Sequence, residues 1–157
     1  MAKMLILGIG SQKPKMERWS GIEEATYLGW GWLPDSRLVF CDWMRPTVTY
    51  SIGEVTPVTI WSIEEEDEGN VNDYFEYPRY CHHHYVRFLP QKAYIPTENI
   101  TSSAIAGLYL PQADTIQPAH FQTMKLIKEE YERLGIPLEY LEQALKYSYQ
   151  HQGEKIR

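Results

Sequence analysis

A chain of 157 residues with 43% apolar and 23% charged residues is sized for one domain, residues 1–157, with a core of its own. A formal net charge of −6 argues against nucleic-acid and anionic-membrane partners. Two cysteines, Cys41 and Cys81, make no disulfide framework and point to reduced thiols in a cytoplasmic protein; no apolar run reaches membrane-spanning length, and the opening MAKMLILGIGSQ is too soon broken by glycine for a signal peptide.

Met4 to Ile9 is a continuous apolar run and predicts a buried strand. It feeds Gly8-Ile9-Gly10-Ser11-Gln12, where glycines let the backbone turn tightly and turn N–H groups toward an anion. The spacing is not that of a phosphate loop, because neither Gly-Lys-Ser/Thr nor GxGxxG is present. Lys15 to Ile22 reads as a short helical turn. Glu24 to Trp32 and Arg37 to Trp43 read as strands separated by a Pro34-Asp35 turn. Val48 to Ile52 and Val55 to Ile63 read as a hairpin across Ile52-Gly53-Glu54. Ser62 with Glu65 has the spacing of a capping box for a following helix, and the acids Glu64 to Glu68 read as its solvated face.

Asp73-Tyr-Phe-Glu76 then sets two carboxylates about one helical turn apart. Glu76 stands among Tyr74, Phe75, Tyr77 and Tyr80. Aromatic walls exclude water and raise a carboxyl pKa toward acid/base range, whereas an ordinary acid at a helix end stopped by Pro78 is the alternative. Cys81-His82-His83-His84 opens a strand on which His82 and His84 share one face. Two imidazoles do not make a metal site without a third ligand, so the expectation is histidines at a pocket rim or in solvent. Tyr94 to Ser103 reads as a loop and Ala104 to Leu110 as a strand stopped by Pro111. Phe121, Met124, Ile127, Tyr131 and Leu134 recur at helical spacing; Gly135 ends that helix, and Pro137 opens a last one carrying Leu138, Leu141 and Leu145. Residues 151–157 read as a frayed tail. The order predicts an α+β fold, a small and mostly antiparallel β-barrel flanked by helices.

Three stretches resemble the gamma-glutamylcyclotransferase family: Leu7 to Gln12; Trp61-Ser-Ile, a helix, Asp73-Tyr-Phe-Glu76-Tyr-Pro and Tyr85-Val-Arg87; and Leu134-Gly-Ile-Pro-Leu-Glu-Tyr140-Leu-Glu-Gln-Ala-Leu145. The resemblance implies a cyclotransferase in which the α-amine of a γ-glutamyl group attacks its own γ-carbonyl, releasing 5-oxoproline and a free amine or amino acid. It puts Glu76 at the catalytic position, as general acid/base, and Ile9, Gly10, Ser11 and Gln12 in the substrate loop. Asp73, Tyr85 and Phe121 are added as pocket candidates. It implies a small-molecule γ-glutamyl substrate, no cofactor and no metal, and leaves a homodimer open. Ile9 stands where the family usually has tyrosine, which keeps a non-catalytic binding module on the same fold as the alternative.

Overall fold

In a computed structural model, residues 3–9, 25–42, 45–74, 78–91 and 104–157 are described. In chain order they form β1 (Lys3–Gly8), β2 (Thr26–Phe40), β3 (Pro46–Glu64), a 3-10 turn (Glu65–Asp67), α1 (Glu68–Tyr74), β4 (Cys81–Pro90), β5 (Ala104–Pro111), α2 (Phe121–Leu134) and α3 (Glu139–Gln150). The strands close a barrel in the order β1-β3-β2-β4-β5. All neighbours are antiparallel except β1 and β5, which run parallel. This is the small mixed barrel of the expected α+β class. The helical turn expected at Lys15 to Ile22 and the loop at Tyr94 to Ser103 lie outside the described residues. Among the described residues no helix is long and apolar enough to cross a membrane.

The strand boundaries differ from the sequence reading in an instructive way. Pro34-Asp35 does not separate two strands, and Ile52-Gly53-Glu54 is not a hairpin. β2 and β3 each run unbroken through these positions. Pro34 pairs with Val55 and Ser36 with Tyr50, so Ser51, Ile52, Gly53 and Glu54 stand against Asp35 alone. Asp35 takes a positive φ of 51° and Gly53 one of 82°; the Asp35 carboxylate accepts the Gly53 N–H at 3.0 Å. The two turn signals are therefore the two halves of one bulge, which bends both strands without ending them. The true hairpin joins β2 to β3 at Phe40↔Pro46. There the Cys41 N–H donates to the Arg45 carbonyl at 3.1 Å, and Asp42 accepts from Arg45 N and Nε at 2.7 and 2.6 Å.

Ser62 caps no helix. It lies in β3, paired with Leu5 on one side and Thr26 on the other, because a strand flanked by two partners keeps its ladder to the end. Helical backbone starts only at Glu65. Glu64 remains on the strand and takes an ion pair from Lys3.

Alternation along the strands separates two apolar clusters. Leu7, Val58, Ile60, Phe88, Ala106 and Leu108 belong to the first, to which every strand contributes, so it is the barrel interior. Their sequence neighbours Ile6, Trp61 and Tyr109 face outward and pack with Ile63 and with Val71 of α1. Ile127 and Tyr131 of α2 and Leu141 and Ala144 of α3 join the first cluster. Gly135 ends α2 as expected, in the left-handed conformation at φ 76°.

One polar contact fastens α3 to the barrel. Ser148 is fully buried, and its Oγ accepts the Phe40 N–H at 3.1 Å. Ser148→Ala leaves that amide without its acceptor and is expected to destabilise the fold by about 1–3 kcal/mol, read as a lower urea midpoint at unchanged slope.

The closing residues are not frayed. Gly153 N donates to the Ile116 carbonyl and Ile156 N to the Asp114 carbonyl, at 2.8 and 2.9 Å. Arg157 is tied at both backbone groups: its carbonyl accepts the Tyr50 N–H at 3.1 Å, and its N–H donates to Thr49 Oγ1 at 3.0 Å. The partners of this segment come from distant parts of the chain, so its polar composition gave no hint of them.

Candidate active site

β2 and β4 pair only at Gly31↔Pro90 and Trp32↔Leu89. Beyond Trp32 the bulge turns β2 away, and the rest of β4 is left with an edge unpaired by β2. A cavity of about 610 Å3 opens in this gap, within the range of small-molecule sites. Leu33, Val48, Val86, Leu108 and Leu110 give it an apolar lining, which is the continuation of the barrel interior. Ser36, Thr49, His84, Arg87 and Arg157 add polar groups, together with Asp35. A site of this kind excludes water from the apolar part of a ligand and orients it through a few polar atoms.

Strand register relates the cavity to the segments singled out by sequence. Leu7 pairs with Leu108, which puts Ile9, two residues on, level with Leu110; His82 also pairs with Leu110, and Cys81 with Pro111. Ile9 is buried in the interior cluster. Gln112, just past β5, receives the other segment: its N–H donates to the Tyr80 carbonyl at 2.8 Å, and its Nε2 to the Pro78 carbonyl at 2.6 Å. The described residues that precede Gly10 and follow Tyr77 thus stand at one end of the barrel, the end to which Leu110 of the cavity belongs. Gly10, Ser11, Gln12 and Glu76 themselves lie outside the described residues.

The three added pocket candidates do not line this cavity. Tyr85 projects from the face of β4 opposite His84 and Val86, is 65% exposed, and donates its hydroxyl to Glu68 of α1 at 3.1 Å. Asp73 is exposed on α1. Phe121 opens α2 and is 71% exposed. Period-2 alternation accounts for the first of these: His83 and Tyr85 share the face of β4 that looks toward α1, and His84, Val86 and Phe88 share the opposite one. The same alternation could have identified His84, since it shares parity with the interior residues Val86 and Phe88. Arg157 carried no such signal.

The histidine run divides as strand geometry requires. The His82 and His84 rings lie 5.9 Å apart, while His83 stacks on Tyr109 at 4.3 Å with the planes 6° apart. Tyr109 in turn donates its hydroxyl to Asn72 of α1. Among the described residues no group of three or more His, Cys, Asp or Glu side chains could hold a metal ion. Neither Cys41 nor Cys81 is in a disulfide, and burial, reinforced by Asp42, pushes Cys41 up to about 11, which leaves it protonated and unreactive.

His83 is pushed below the ordinary histidine range, first by burial and further by His84, against the opposing pull of Glu68. The folded protein therefore holds His83 neutral where the unfolded chain would protonate it. The unfolded state binds more protons as pH falls through the ordinary histidine pKa of about 6.5, so this contribution to stability is present above that value and lost below it. His83→Gln is expected to flatten the fall in Tm between neutral pH and about pH 5; equal slopes in both proteins would remove His83 as its source.

The chain superposes on a gamma-glutamyl cyclotransferase structure with a TM-score of 0.69, at 16% identity over 91% of this chain and 86% of that one. An uncharacterised Homo sapiens protein gives the same TM-score and identity over 92% and 87%. The glutathione-specific gamma-glutamyl cyclotransferase from yeast gives 0.55 at 12% identity over 98% of both chains. No protein-family model matches the sequence, and no curated protein sequence matches it. The barrel, with α1, α2 and α3 among the described residues, has the gamma-glutamyl cyclotransferase-like fold.

Proposed function

We propose that the protein is a cyclotransferase that converts a γ-glutamyl compound to 5-oxoproline and a free amine or amino acid, with Glu76 as its acid/base. One observation carries this reading: a barrel of the gamma-glutamyl cyclotransferase-like fold holds a cavity at the end where the chain enters Gly10-Ser11-Gln12 and leaves the Glu76 segment. The chemistry asks for little more. The substrate α-ammonium must lose a proton before its nitrogen can attack the γ-carbonyl carbon. The new C–N bond closes a five-membered ring as the old one to the departing amine breaks, and that amine must gain a proton. One carboxylate within reach of both nitrogens takes the proton from the first and returns it to the second. Backbone N–H groups of Gly10, Ser11 and Gln12 would stabilise the oxyanion that develops between the two steps. Ring closure within one molecule supplies the proximity.

The test is release of 5-oxoproline from a panel of γ-glutamyl amines, amino acids and peptides. Turnover of at least one is expected. Saturable binding without turnover across the panel would make the protein a binding module, and neither binding nor turnover would remove the γ-glutamyl assignment.

A further inference from the structure

The bulge takes part in two hollows. Pro34, Asp35 and Ser36 line the cavity between β2 and β4. The next residues, Arg37 and Leu38, line a separate cleft of about 230 Å3, whose other walls are Gly53, Glu54 and Val55 of β3 and the Tyr140 side of α3. Arg37 and Glu54 form an ion pair in this cleft, and both side chains are partly exposed. Each is fixed by a second contact: the Arg37 guanidinium stands 4.3 Å from the centre of the Tyr147 ring, and the Glu54 carboxylate accepts the Ser51 hydroxyl. The pair is held but not saturated. A guanidinium has N–H donors on three nitrogens, and a carboxylate accepts about four hydrogen bonds. Among the described residues, Arg37 donates through Nη2 alone, and Glu54 accepts one bond at each oxygen. From α3, the Tyr140 hydroxyl and the Gln143 carboxamide reach the same cleft with no hydrogen bond to any described residue. An ion pair that served only to tie β2 to β3 would need no hollow beside it.

From this lining we infer that the cleft is a binding site for a small free α-amino acid. The charges decide the class. A cation and an anion in contact present opposite signs side by side, and the ligand that matches them carries its own two charges on one carbon. Its carboxylate meets the remaining N–H groups of Arg37, and its ammonium the remaining lone pairs of Glu54. A ligand with a single charge would satisfy one member of the pair and be repelled by the other. Leu38, Val55 and Ala144 give the ligand side chain an apolar base. The volume lies below the range of about 300–1,000 Å3 for drug-sized ligands, which restricts that side chain to a small one. The site shares no lining residue with the cavity among the described residues, so the inference stands apart from the cyclotransferase reading.

The experiment titrates L-alanine, N-acetyl-L-alanine and L-alaninamide into the isotope-labelled full chain and follows backbone amide chemical shifts. Alanine is expected to give saturable shifts at Gly53, Glu54 and Gln143. Loss of the ammonium in N-acetylalanine, or of the carboxylate in alaninamide, weakens binding by about 10- to 100-fold, the range for a lost charge-assisted hydrogen bond. Arg37→Gln and Glu54→Gln each weaken alanine by the same factor. Glu54→Gln binds N-acetylalanine no more weakly than the wild type does, and Arg37→Gln binds alaninamide no more weakly. Gln143→Ala breaks no hydrogen bond among the described residues and weakens alanine by about 2- to 10-fold. Shifts confined to Val86, Leu108 and Leu110 would put alanine in the cavity and overturn the cleft site, leaving the cyclotransferase reading intact. Equal affinities for the three ligands would overturn recognition by the ion pair, and the absence of any saturable shift would overturn the site.

Discussion

Glu76→Gln is expected to lower kcat for 5-oxoproline release by about 10²- to 10⁴-fold, the usual worth of a positioned acid/base, with KM little changed. Glutamine keeps the length and shape of the side chain and can still donate and accept hydrogen bonds, so substrate is held as before. It cannot accept the ammonium proton, and attack must wait for the small neutral fraction of amine supplied by solvent. The loss should shrink as pH approaches the amine pKa, because the base then has less to do. Single-turnover release of 5-oxoproline from pH 6 to 10 gives both readings. A variant with wild-type kcat would strike Glu76 from the mechanism. A variant in which KM rises with kcat intact would make it a binding residue.

Gly31→Ala is expected to have the largest effect on stability. Gly31 lies at the seam where β2 meets β4 through just two residue pairs. A Cβ there would stand 2.4 Å from the Leu89 carbonyl oxygen and 3.1 Å from Pro90 Cα. Both neighbours are backbone, so no side chain can swing aside; the strands must separate and the seam must widen. Overpacking of this kind costs about 3 kcal/mol at its upper end, or roughly 6–12 °C in Tm for a domain of this size. The reverse test is informative. Gly53→Ala meets open space within 4 Å and suffers only from its positive φ, a penalty of about 1 kcal/mol. Similar losses in the two variants would mean that close approach at the seam is not what Gly31 provides.

How far the fold could be read before the structure depended on whether the deciding interaction was local. Gly135 is a local signal, and α2 stops there; Ala104 to Leu110 is a pure apolar run, and β5 occupies it. Pro34-Asp35 and Ile52-Gly53 use the same residues that build turns. Only their pairing across two strands reveals a shared bulge, and that pairing is not written in either segment. Ser62 obeyed the capping rule locally and lost to a ladder with β1 and β2 on both sides. The site divides along the same line. His84 follows from alternation along β4, whereas Arg157 reaches the cavity through a bond to Thr49, 108 residues earlier. The motif resemblance pointed to Glu76 and to Gly10, Ser11 and Gln12, and strand register brings the described residues flanking both segments to one end of the barrel.

The parallel union of β1 with β5 governs the order in which the molecule can assemble. Ile6 and Leu7 pair with Trp61 and Ile60 on one side and with Gly107 and Leu108, about a hundred positions later, on the other, so β1 can form its ladder with β3 first but must wait for β5 before the ring is complete. Loop-closure entropy must be met before those distant pairings can reward it, which places this protein among slow folders, on the order of milliseconds to seconds. Until that last union, the outer edges of both strands lie open to neighbouring chains. Translation speed and chaperone access should therefore bear on its yield more than the stability of the finished ring.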